Sequence, residues 1–319
     1  MCTGRSRFLM LLCMALASFT GASAQDFPTR SIRVIVGPGP DIIPRLFGPK
    51  ITEVLGQQVI IEPRPGAGGV IAAQSVANAA ADGYTLLQAT ASYTINTALQ
   101  TSALDMRKDF APLTLVSTIP FVLVVHPSVP AKTLSELIVY AKAHPGKLNY
   151  ASSGVGTPPH LAGELFKTMA GVDIVHVPFR EANSALNSVI SGATQMAFVI
   201  ASIAQAQMSG GMVRGIAVTS KQPSALVPGV PPVAQAGLPG FEVIGWNGFV
   251  APKATPRPVI AKLSAALLAG LADAELRKRV TAAGYEPAEK NTPQQFAAFI
   301  AADTTKWLDL VAKTNMKAN

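Results

Sequence analysis

The residues best equipped for chemistry lie where apolar runs give way to helix starts. The segment Ala151-Ser-Ser-Gly-Val-Gly-Thr-Pro-Pro-His160 joins a small-residue turn to a helix that opens on proline. Backbone N–H groups and hydroxyls such as those of Ser152, Ser153 and Thr157 would converge there on a helix N-terminus, a setting that suits an anion and best a carboxylate. The same residues also make a tight turn with an ordinary cap. His160 falls in the first turn, where it can hydrogen-bond a ligand or pack locally in its neutral form. Arg180 follows an apolar run; it can clamp a carboxylate bidentately, or pair with Glu181 or face solvent. Three further junctions have the same character: Val36-Gly-Pro-Gly-Pro-Asp41, Glu62-Pro-Arg-Pro-Gly-Ala-Gly-Gly69 and Thr90-Ala-Ser-Tyr-Thr-Ile-Asn96.

No catalytic constellation accompanies them. Glycines 66, 68 and 69 fail the dinucleotide fingerprint because Ile71 stands where the last glycine belongs. There is no Gly-x-Ser-x-Gly elbow and no His-Glu-x-x-His, and His126, His144, His160 and His176 lack metal-ligand spacing. Cys2 and Cys13 are the only cysteines in 319 residues, which excludes a disulfide scaffold, a cysteine zinc site and a thiol nucleophile. The net charge of +8 comes without a basic run or an arginine–aromatic stripe, so nothing else points to nucleic acid. We expect no enzyme, no cofactor and no metal.

With 49% hydrophobic and 14% charged residues, the chain can fill one or two cores, and its length favours two domains. Arg5 and Arg7 precede an apolar run over 8–17, and Ala22-Ser-Ala24 is a small-x-small cleavage signature. Spanning a membrane takes about 20 apolar residues, so residues 1–24 read as a secretory signal peptide. The mature chain would start at Gln25 with a charge of +6 and no cysteine, as an exported soluble protein.

The elements that must position these junctions alternate. Apolar, β-branched runs fall at 32–36, 58–61, 84–89, 121–126, 148–152, 173–179, 195–200, 215–219 and 243–250, with helical patterns between them. Continuous apolar runs suit strands covered on both faces, so an α/β architecture with mainly parallel sheets is expected. Capping boxes at Thr133–Glu136 and Thr292–Gln295 start two helices, and Thr157-Pro158 and Thr255-Pro256 start two more. Gly56, Gly171 and Gly284 suit left-handed helix ends.

In order along the chain, Glu62-Pro-Arg-Pro-Gly-Ala-Gly-Gly69, Ala81-Asp-Gly-Tyr-Thr-Leu-Leu87, Lys108-Asp-Phe-Ala-Pro-Leu113, Pro145-Gly-Lys-Leu-Asn-Tyr-Ala-Ser152, His160-Leu-Ala-Gly-Glu-Leu-Phe166, His176-Val-Pro-Phe-Arg180 and Ala251-Pro-Lys-Ala-Thr-Pro256 resemble the tripartite tricarboxylate transporter substrate-binding proteins, the TctC or Bug proteins. The resemblance spans almost the whole mature chain. It implies a type II periplasmic binding protein fold: two α/β lobes, each a mainly parallel sheet flanked by helices, joined by crossing strands and closing on a small carboxylate. Lobe one would take residues 25–122 and 244–319, and lobe two residues 123–243. Position by position, the resemblance offers Thr90, Ser92, Asn96 and Trp246 from lobe one. From lobe two it offers Ser152, Ser153, Gly156, Thr157, His160, Phe179 and Arg180.

Three departures from the family pattern follow. The first loop, Val36 to Asp41, is short and lacks a Gly-Gly clamp; Glu181 replaces a glycine; and Val199-Ile200 replace a polar strand end. They favour a less polar, even aromatic, carboxylate over small dicarboxylates. The expected role is a monomeric periplasmic receptor that delivers its ligand to membrane transporter subunits. A sensory receptor presenting its closed form to a kinase, and a homologue with a disabled site, stand as alternatives.

Overall fold

The computed structural model describes residues 27–37, 40–66, 69–99 and 104–314. The expected signal peptide, both cysteines, and Pro38 and Gly39 of the short first loop lie outside the described residues. Among the described residues no helix is long and apolar enough to cross a membrane.

The chain forms two lobes that share one strand. In the first, β1 (Ile32–Val36) lies between β2 (Val59–Pro63) and β3 (Thr85–Thr90), all parallel. Helices α1 (Ile42–Leu55) and α2 (Val70–Ala77) make the crossovers, and α3 (Ala91–Ala98) follows β3 directly. In the second, β5 (Leu148–Ser152) lies between β6 (Ile174–Pro178) and β7 (Met196–Ile200), again parallel. Here α6 (Pro158–Ala170) and α7 (Ala182–Ile190) connect the strands.

The sheets are mixed rather than purely parallel, because the strands that join the lobes run antiparallel to their neighbours. The short α4 (Met106–Asp109) leads into β4 (Phe110–Val125), whose first part, through Pro120, pairs with β9 (Ile244–Pro252). From Phe121 onward β4 pairs instead with β7 and with β8 (Arg214–Val218). One strand thus changes sheets at Pro120–Phe121, and the chain returns through Val243, whose N–H bonds the Thr219 carbonyl. β9 in turn pairs with β3, and β10 (Glu286–Pro287) with β4.

Each sheet is covered on both sides. One cluster in lobe one joins Ile32, Phe47, Phe249 and Leu267. A second, on the opposite side, joins Ile35, Val76, Trp246 and Phe296. In lobe two, Tyr150, Leu161, Phe166 and Phe198 form the largest cluster. That cluster also takes in Ile95 and Ala98 of α3 and Trp307 and Leu310 of α11 (Pro293–Thr314), so both helices pack across the lobe boundary.

Local signals behave as their chemistry demands, with two exceptions. Thr292 and Gln295 exchange bonds of 3.1 and 2.8 Å across the start of α11, and Thr133 caps α5 (Leu134–Ala143). Gly56 and Gly171 end α1 and α6 at φ of 71 and 61°, where a side chain would be strained. Thr255, however, does not cap. Its hydroxyl donates back to the Pro252 carbonyl at 2.7 Å, and α9 (Arg257–Ala272) starts beyond Pro256. Thr157 does occupy the N-cap position of α6, but its hydroxyl donates to the Gly154 carbonyl at 2.7 Å rather than capping.

Candidate functional site

A cleft of about 580 Å³ opens between the lobes where the strands end. Four helices begin at its wall: α3 with Thr90, Ala91 and Ser92; α6 with Thr157 and Pro158; α7 with Glu181 and Ala182; and α8 (Ala201–Ser209) with Ile200. None of the four carries a side-chain N-cap hydrogen bond. Their positive ends therefore face the cavity without a competing side-chain acceptor. At α6, Pro158 and Pro159 remove the first two donors, so this helix contributes field more than hydrogen bonds. The charged side chains on the wall are Arg180 and Glu181, both exposed. Arg180 makes no ion pair or side-chain hydrogen bond among the described residues.

Six of the expected residues line this cleft: Thr90, Ser92, Ser153, Thr157, Arg180 and Trp246. Trp246 does so with its indole largely committed elsewhere. The ring is 1% exposed, packs edge-on against Phe296 and Phe299, and donates its N–H to Asp303 Oδ2 at 3.0 Å.

The other five lie behind the wall. Ser152 is fully buried; its Oγ is 2.7 Å from His176 Nε2 and accepts the Gly154 N–H. Gly156, at φ 76°, donates its N–H to His160 Nδ1 at 3.2 Å. His160 is 5% exposed and stacks on His176 with centroids 4.2 Å apart. It supports the 153–157 loop from behind. Burial lowers the pKa of His160, and burial followed by the neighbouring His160 lowers that of His176 to about 4. Both rings are thus neutral at pH 7, and the Gly156 bond makes Nδ1 of His160 the acceptor. Phe179 packs into the apolar cluster under α7. Asn96 sits one turn down α3, beside Tyr93 and Met106 rather than on the cleft.

Sequence reasoning passed over the polar floor on lobe one. Gln88 and Asn247 line the cleft although they are only 2% and 4% exposed. Gln88 Nε2 donates to Asn247 Oδ1 at 2.9 Å, and Asn247 Nδ2 to Ser117 Oγ at 3.1 Å. Gln88 Oε1 and Thr90 Oγ1 are buried without a partner. The signal was available: an amide inside the apolar run 84–89 needs partners once buried. Also missed were Ile119 and Phe121, which flank the point where β4 changes sheets.

Residues 43–316 match the model of the tripartite tricarboxylate transporter family receptor, TctC. The chain belongs to that family. Its members are receptors rather than enzymes, in keeping with the missing catalytic set. A relative from Pseudomonas sp. (strain P51), the UPF0065 protein in the tcbD-tcbE intergenic region, is 33% identical over 99% of this chain and 96% of its own length. Among solved structures, an R. palustris protein with adipate is 29% identical with a TM-score of 0.77, covering 91% of this chain and 99% of that one. MatC from Rhodopseudomonas palustris with bound malate is 33% identical with a TM-score of 0.74, covering 89% and 100%. The two-lobed α/β fold of this TctC receptor is theirs too.

Proposed function

We propose that this TctC receptor is exported to the periplasm, captures a small carboxylate between its lobes and delivers it to a membrane transporter of the tripartite tricarboxylate type. The observation that carries this is electrostatic. Four helix N-termini without side-chain caps and one unpaired arginine face a single cleft. A carboxylate there gains the α3 and α7 first-turn N–H groups, the Arg180 guanidinium and the field of all four helices. Ser92 and Ser153 add hydroxyls, and the Thr90 hydroxyl has no partner among the described residues. The adipate and malate held by its structural relatives belong to the same chemical class.

Capture is a shift of population toward a closed form, with no bond made or broken. The strand that changes sheets at Pro120–Phe121 and the return through Val243 are the two connections about which the lobes would turn. A monomer suffices, because both walls of the cleft come from one chain.

The test is thermal unfolding of residues 25–319 against aliphatic, amino and aromatic carboxylates. A ligand at a hundredfold over its Kd adds about 2.7 kcal/mol, a shift of several degrees. Arg180→Ala removes a charged hydrogen bond worth about 1.5–3 kcal/mol, so affinity should fall roughly ten- to hundredfold. A cooperatively folding protein that no carboxylate stabilises would overturn the proposal.

A further inference from the structure

A second cavity of about 170 Å³ adjoins the cleft and extends into lobe two. The two spaces share Phe121, Ser153, Thr157, Pro158, Ala182 and Ile200. Beyond that shared mouth the walls are Pro159, Ala185, Phe198 and Val199. Phe198, Val199 and Ala185 are 2, 3 and 4% exposed, and no charged side chain lines the cavity. The hydroxyls of Ser153 and Thr157 stand at the mouth, and that of Thr157 is already spent on the Gly154 carbonyl.

A second carboxylate in this space would give up its water for a wall without a cation, and buried charges are stable only when paired. Apolar matter fits. An apolar cavity of about 150 Å³ stays dry and admits benzene, so about 170 Å³ holds one six-membered ring. Position joins the two spaces chemically. Ala182 and Ala185 lie three residues apart on one face of α7, directly after Arg180 at its start. A carboxylate at Arg180 and a ring against Ala182 and Ala185 would lie along the same helix.

We infer that this cavity is a ring subsite, and that the ligand is a monocarboxylate carrying one compact aromatic or alicyclic group enclosed by Phe121, Phe198 and Val199. This rests on the carboxylate reading of the cleft and deepens it. Each methylene buried in the cavity should tighten binding about fourfold, whereas a second charge should weaken it.

Calorimetric titration of the mature protein with benzoate, cyclohexanecarboxylate, adipate and malate tests the assignment. The ring acids should bind at least tenfold tighter than malate, with a negative heat-capacity change. Ala185→Leu, which fills the cavity, should weaken the ring acids at least tenfold and leave adipate and malate within twofold. Val199→Thr keeps the shape but adds a hydroxyl, and should act in the same direction if the leucine variant fails to fold. Adipate or malate binding tighter than the ring acids overturns the subsite. So does ring-acid affinity unchanged in both variants. Toluene separates the two levels: a toluene-induced thermal shift lost in the cavity variants, with no carboxylate bound, keeps the ring subsite and removes the carboxylate reading. No shift with toluene or any acid removes both.

Discussion

At the scale of single residues, the pair His160–His176 makes the sharpest prediction. The rings stack 4.2 Å apart under the 153–157 loop, with Tyr150 stacked on the far side of His176. Ser152 bonds His176, and Tyr150 bonds Glu164 at 2.7 Å, with Lys167 alongside. His176 holds its proton only near pH 4, whereas the unfolded chain binds one near 6.5. Between those values the unfolded state carries more protons, so stability should fall as pH drops through this window. Melting temperature measured from pH 7.5 to 4.5 should decline, and His176→Gln should flatten the part between 6.5 and 5. A variant with the wild-type slope there would exclude His176 as the source. Gly163 makes a second residue-scale prediction. A Cβ at this position would run into the Tyr150 ring, so Gly163→Ala must displace that ring. Overpacking of this kind costs about 1–3 kcal/mol, to be read as a lower denaturant midpoint.

The four helices that open on the cleft lack side-chain caps, as do α1, α2 and α9, whereas α4, α5, α11 and α10 (Ala274–Ala282) have them. Asp273 accepts the N–H groups of Glu275 and Leu276, both at 3.0 Å, and its carboxylate also meets Lys50 at 3.3 Å. Asp273→Ala should lower the denaturant midpoint without altering ligand affinity; chemical denaturation and calorimetry on one variant check both halves. The element hardest to read in sequence was the first part of β4. Pro112 and Pro120 argue against a strand, yet Pro112 sits at a register shift and Pro120 at the end of the ladder with β9. Proline is tolerated at such places because no ladder donor is needed there.

For the whole molecule, the cleft is bounded by lobes that are tied together in three places: β4, the return through Val243, and the packing of α3 and α11 into lobe two. In α11, Phe296 and Ile300 belong to a lobe-one cluster while Trp307 and Leu310 belong to the large lobe-two cluster. Between them Asp303 accepts from Thr94 at 2.7 Å and from Trp246 at 3.0 Å. The lobe closure proposed above would therefore turn about this side and open the other. A bound carboxylate should reduce the radius of gyration in solution scattering and slow amide exchange in 90–93 and 180–185, the first turns of α3 and α7. An unchanged radius and exchange pattern at saturating ligand would argue for a rigid, preformed cleft.

Much of the architecture was written in the chain. Apolar runs bounded by glycine and proline located most strands within a residue or two, because strands buried on both faces read as continuous apolar runs. They missed residues 110–120 of β4 and all of β10. Junction chemistry marked loops that line the cleft, and the ordered motifs marked the family. Side-chain direction was another matter. Ser92 and Asn96 share a helix, but one turn, about 5.4 Å, separates the cleft wall from the packing behind it. Ser152 and Ser153 are neighbours, yet the first points into the lobe and the second toward the cleft, as alternation at a strand end requires. The buried chain of Gln88, Asn247 and Ser117 spans 159 and 130 positions in sequence. The antiparallel insertion of β9 between β3 and β4 brings it together, and only tertiary pairing fixes that register.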